Sequence, residues 1–177
     1  MIIAIILRAV QFIFAVVVLG LSVALVKDQD IGSSPATINY NAFCGGFGML
    51  VAILGISAIW VEALGGLVMA AVDGLASIFF LAGALAVVIT LRGISCTAKT
   101  DSNWNKMLDS ALLNGGCVHV RGAGTLCGAD FGQASQRCKK NEADAAFEFM
   151  SFALCAGCAV LSVLAMKRGS GTKGALV

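Results

Sequence analysis

The chain has 177 residues, of which 59% are hydrophobic and only 12% charged, with a net charge of +2. A typical soluble domain carries roughly 25% charged residues, so an ordinary water-soluble globule is excluded, and the sparse positive charge forms no patch suited to nucleic acid. The length suits one domain, and one proline with 21 glycines suits closely packed helices.

The first apolar run, 2–26, contains only Arg8 and Gln11 as polar side chains before Ser22. About 20 apolar residues in a helix cross a hydrocarbon core of about 30 Å. The run exceeds the apolar core of about 7–15 residues in a secretory leader. Ser22-Val23-Ala24 resembles a cleavage site, but the chain continues in the same hydrophobic style, so the run is read as a retained span. Three more runs follow at 43–64, 67–91 and 145–166, the third closed by Arg92 and the fourth by Lys167 and Arg168. Lipid offers no partners to backbone groups, so such runs must be helical. The expected fold is an all-α integral membrane protein, a four-helix antiparallel bundle over 1–168.

The connections differ in length. Residues 27–42 form a short polar link, 62–66 barely a turn, and 92–144 about a third of the chain. The tail, 169–177, is polar, glycine-rich and expected to be mobile. Four spans place both termini on one side. Positive charge counts four residues there (Arg8, Lys167, Arg168, Lys173) against eight on the other side, which by itself puts the long link in the cytosol. Much of that link lies far from the helix ends, where the rule weakens.

Cysteines argue the opposite way. Cys96, Cys117, Cys127 and Cys138 form an even set in a polar link, as expected in an oxidising space. Their separations lack the close pairs of a zinc site, and His119 is the only histidine. Disulfides are therefore favoured over metal, with the link extracellular and the termini cytosolic. Of three possible pairings, Cys96 with Cys138 and Cys117 with Cys127 is preferred: the first staples the exit of helix three to the entry of helix four, the second closes an inner loop. Cys44, Cys155 and Cys158 lie in apolar runs and read as small packing residues.

Within the link, Asp101 or Ser102 is expected to cap a short helix over 103–113, stopped by Gly115-Gly116. Its apolar face includes Trp104, which either rests at headgroup level or covers the bundle. Trp60, Trp104, Lys167 and Arg168 are the expected membrane-interface anchors.

Arg8 and Asp73 are the sharpest pair. Each lies about six residues into its span, from the same side, at a depth of roughly 9 Å. An intramembrane ion pair is favoured over headgroup contact by Arg8 or a transport relay, because Gln11, Ser57, Ser77 and Thr90 make no evident chain of polar stations. Glu62 is expected to reach water; Glu148 is expected to meet Asn39 or Tyr40, or to snorkel outward. Small residues four apart, such as Ala70 and Gly74, allow close helix contact. No base–nucleophile set and no nucleotide loop is recognisable, so neither an enzyme nor a cofactor is expected.

Several motifs share an order. Leu7-Arg8 precedes Gln11-Phe12-Ile13-Phe14; Ile38-Asn39-Tyr40-Asn41-Ala42-Phe43 opens the second run; Asp73 lies in the third; Cys96, Asp101-Ser102-Asn103, Arg137-Cys138 and Ala145-Ala146-Phe147 follow. Together they resemble the MARVEL-domain four-span proteins, and among them the fungal non-classical export protein 2-like family. The resemblance implies cytosolic termini, a plasma-membrane location in eisosome-associated furrows, and links to sphingolipid sensing and unconventional secretion. The glycine-rich stretch from Gly115 to Gly128, with Cys117 and Cys127, departs from that pattern as an insertion, and the tail is short. The resulting expectation is a non-enzymatic plasma-membrane organiser that associates with lipids (sphingolipid or sterol), with copies of itself and with other membrane-domain proteins, and with no nucleic acid. The alternative is a small transporter or channel using Arg8 and Asp73. A receptor or adhesion module would rest on the crosslinked link alone.

Overall fold

The computed structural model describes residues 2–58, 66–121 and 124–172, with side chains from 4 to 167. Its elements are α1 (Ile2–Lys27), α2 (Ala36–Ser57), α3 (Leu67–Thr90), α4 (Asp101–Asp109), β1 (Cys117–Val120), β2 (Gly124–Cys127) and α5 (Phe131–Thr172). Four of them, α1, α2, α3 and α5, are long and apolar enough to cross a membrane. Each of the four packs against two others, in the cyclic order α1–α2–α3–α5.

Two helices begin earlier than their apolar runs. α2 starts at Ala36, seven residues before 43, with Pro35 as its N-cap, whose carbonyl accepts the first helical bond from Ile38 N at 3.0 Å. α5 starts at Phe131, fourteen residues before 145, so the link after α3 is shorter than 92–144. Its start is a capping box: Gln133 N donates to Asp130 Oδ1 (2.7 Å) and Asp130 N to Gln133 Oε1 (3.2 Å). Hydropathy counts only the lipid-length part of such a helix; the polar turns before it pack on protein instead. The α5 helix also runs on to Thr172, into the stretch expected to be tail. The turn at 62–66 and the end of the run 43–64 lie largely outside the described residues, as do Trp60, Glu62 and the side chain of Arg168.

The link folds into a cap. Leu25, Ile38, Cys96, Met107, Leu112, Leu113, Ala129, Ala134 and Cys138 form one buried cluster, joined by half-buried Leu91, Ile94, Trp104 and Phe131. The cap therefore shares its core with the ends of the four long helices. Within it α4 is shorter than 103–113. Thr100, not Asp101 or Ser102, caps it through Asn103 N, and it ends at Asp109, where Ser110 turns extended. Trp104 packs on Phe131 with ring centroids 5.8 Å apart. The hairpin β1–β2 places Cys117 directly opposite Cys127. Disulfides join Cys96 to Cys138 and Cys117 to Cys127. Cys96, Cys138 and Glu142 come within 4.8 Å of one another, but sulfurs bonded to each other offer no thiolate to a metal.

Arg137 ties the cap to the helices. It is 1% exposed, and its guanidinium donates to the carbonyls of Leu112, Leu25 and Asp28 and to Gln29 Oε1. Next to it Lys140 pairs with Asp28.

Candidate functional site: two buried polar layers

Along their apolar stretches the four long helices expose many large apolar side chains and bury most of their charged and amide ones. Ile6, Ile13, Leu50, Leu67, Ile78 and Val160 are among the exposed hydrophobics, whereas Arg8, Gln11, Ser22, Asn41, Asp73, Glu148 and Ser151 are buried. This inverts the arrangement of a soluble bundle. The buried polar groups fall into two layers.

The layer nearer the chain termini is built on Arg8. Its Nη1 and Nη2 donate to Asp73 Oδ1 and Oδ2 at 2.5 and 2.6 Å, and Nη1 also donates to Gln11 Oε1 at 2.9 Å. The fork geometry of arginine matches both carboxylate oxygens. Gln11 in turn donates to Cys155 Sγ at 3.0 Å, so the layer draws on α1, α3 and α5. α2 contributes Gly55, where an added Cβ would collide with the Arg8 side chain. The guanidinium thus lies in a slot that the absent side chain leaves open.

The layer nearer the cap is built on acids. Asp144 Oδ2 accepts from Ser22 Oγ (3.1 Å) and Asn41 Nδ2 (3.2 Å), joining α1, α2 and α5. Glu148, one turn further along α5, is fully buried. It hydrogen-bonds to neither Asn39 nor Tyr40 and does not reach outward; its carboxylate and Asn41 Oδ1 press against Gly83 of α3. Asn39 bonds to Ser34, and the Tyr40 hydroxyl donates to the Phe79 carbonyl. Sequence reasoning missed this layer because hydropathy does not give the face on which a lone glutamate sits. The available signal was Asp144 and Glu148 four residues apart, which places them on one helix face.

Between the layers lies an apolar plug: Ala15, Val18, Cys44, Val51, Ala76, Phe80 and Cys155 form a second buried cluster. Gly48 lets Phe80 and Ala15 close over the axis, with an added Cβ 2.5 Å from Phe80 Cζ. Ten to eleven residues separate Gln11 from Ser22 and Asp73 from Gly83, so the layers stand roughly 15 Å apart.

A membrane-associating domain, MARVEL by description, matches residues 2–161. The chain belongs to the MARVEL family. The match spans α1, α2, α3, the cap and α5 as far as residue 161 of this MARVEL chain, and so includes both polar layers and both disulfides. Comparison with curated proteins and with solved structures returned no match. The remaining expected anchors are Trp104, which is half-buried in the cap, and Lys167, which is exposed on α5. Nothing in the structure brings those two together.

Proposed function

We propose that this MARVEL chain is a non-enzymatic organiser of the plasma membrane. Its four helices would cross the bilayer as an antiparallel bundle with cytosolic termini and an extracellular cap, associating laterally with lipids and with copies of itself. The observation that carries the reading is the inside-out helix surface: large aliphatic side chains exposed on all four long helices around buried charge. Such a surface is stable only in lipid or against another membrane helix. The two disulfides support an oxidising location for the cap. A role in eisosome-like, sphingolipid-linked microdomains and in unconventional secretion follows from the resemblance of the motifs.

The test is reconstitution of fluorescently labelled protein in giant vesicles containing sphingolipid, sterol and unsaturated phospholipid. Lateral self-association raises energy transfer between copies above that of a dilution control and concentrates them in one lipid phase. A uniform distribution with transfer at the level of random encounter rejects the reading. Transport is disfavoured by the apolar plug between the polar layers. Saturable flux in proteoliposomes, abolished by Asp73→Asn, would replace the organiser with a transporter.

A further inference from the structure

The layer nearer the cap holds oxygens that no donor answers. A point one bond length from the Cα of Gly83 lies 2.5 Å from Glu148 Oε1 and 2.9 Å from both Asn41 Oδ1 and Glu148 Oε2. None of these three atoms has a hydrogen-bond partner among the described residues, nor do Asp144 Oδ1 and Ser151 Oγ. Glu148 and Ser151 are fully buried, and Asn41 is 1% exposed.

Apart from the Ser151 hydroxyl, the neighbouring donors are engaged elsewhere. Ser22 Oγ and Asn41 Nδ2 serve Asp144 Oδ2. From α2, the Tyr40 hydroxyl and the Cys44 thiol both turn to the Phe79 carbonyl. Along α5, Asn141 donates to the Arg137 carbonyl, Lys140 is held by Asp28, and Arg137 is held by three carbonyls and Gln29. α3 brings only Ala82, Gly83 and Ala84 to this level. A carboxylate and an amide oxygen facing each other in a dry site repel unless a proton or a bound cation lies between them.

We infer that Glu148 and Asn41, with Asp144 and Ser151 beside them, bind a single monovalent inorganic cation of sodium's size. Asp144 Oδ2 already receives two hydrogen bonds, whereas both oxygens of Glu148 receive none, so an ion held at Glu148 and Asn41 meets one unscreened carboxylate, which suits a single positive charge. A calcium ion takes six to eight oxygens, more than the unanswered atoms here supply. Oxygen-only donors suit a hard cation over a transition metal. The site is independent of the organiser reading, and no transport is implied, because the apolar plug separates it from Arg8 and Asp73.

The test uses the full-length wild-type protein in nanodiscs and dicyclohexylcarbodiimide, which reacts with protonated carboxyls in apolar surroundings. Labelling at Glu148 is followed by peptide mass as sodium replaces N-methylglucamine at constant ionic strength. A bound cation excludes the proton, so labelling slows saturably, by about tenfold at high sodium, and the melting temperature rises along the same titration. Glu148→Gln loses the sodium dependence of melting. Equal labelling rates and equal melting in the two salts show that only protons visit the site and overturn the inference. Protection by calcium but not by sodium overturns it as well. The wild-type titrations decide the matter even if the variant does not fold.

Discussion

Asp73→Asn isolates the charge of the Arg8 partner. The substitution keeps the shape of the side chain and one acceptor oxygen, but it leaves Arg8 cationic at a site where the Asp73 side chain is fully buried and that of Arg8 is 9% exposed. Breaking a buried pair by removing one partner costs about 3–5 kcal/mol. An arginine alone at mid-bilayer costs about 2.5–3.5 kcal/mol on insertion scales, and less at the shallower depth of Arg8. Gln11 Oε1 remains as an acceptor at 2.9 Å and keeps the loss toward the lower end, about 3 kcal/mol. Replacing both partners, as in Arg8→Met with Asp73→Leu, removes the stranded charge and is expected to recover most of that loss. The assay is a double-mutant cycle on equilibrium unfolding in mixed micelles, with the single and double variants measured side by side. If Asp73→Asn unfolds within about 0.5 kcal/mol of wild type, the pair does not hold α1 to α3 and the reasoning from its geometry is refuted.

Adjacent glycines on α2 are expected to behave oppositely. An added Cβ at Gly45 would lie 2.6 Å from the backbone nitrogen of Leu19, while at Gly46 nothing lies within 4 Å. Gly45→Ala should cost about 1–3 kcal/mol by forcing α1 and α2 apart, and Gly46→Ala should gain up to about 1 kcal/mol from helix propensity; thermal melts of the two variants check this. Losing the Cys96–Cys138 crosslink by Cys96→Ser with Cys138→Ser opens a loop with a sequence separation of 42. It should cost about 4 kcal/mol by the chain-entropy relation, against about 3 kcal/mol for the 10-residue separation of Cys117 and Cys127. Chemical denaturation of the two double variants compares them. Arg137→Lys loses the fork that reaches four acceptors and should destabilise by at least about 2 kcal/mol. Hydrogen exchange in that variant should rise first at 110–114 and 25–29, the segments it no longer holds.

The helical, lipid-facing character was legible because length and hydropathy decide it. Each run from 2, 43, 67 and 145 is apolar over a bilayer's thickness, and a helix is the structure that closes its backbone bonds within one such run. The equal depths of Arg8 and Asp73 can be counted from the sequence, since both helices start on the same side. What hydropathy cannot see is a helix that is polar where it packs on protein. For that reason residues 131–144 read as link, although Asp130 and Gln133 carried the capping signal. The hairpin was hidden for a related reason: Gly115, Gly116, Gly122, Gly124 and Gly128 dominate the composition there and mask the short β-branched runs around Val118 and Val120. The layer near the cap was hidden because it needs the rotation of α5 as well as its existence. Asn41, Gly83 and Glu148 come from three helices, and no local pattern ties them together.

The continuity of α5 has a mechanical consequence. Its 42 residues make a rod of roughly 63 Å, about twice the hydrocarbon thickness, and no proline interrupts it. Cys138, near the start of the rod, is covalently fastened to Cys96 in the segment leaving α3, so this disulfide ties the cap to one continuous helix. A load placed on the cap by a bending bilayer therefore meets one continuous helix with no proline kink along its length.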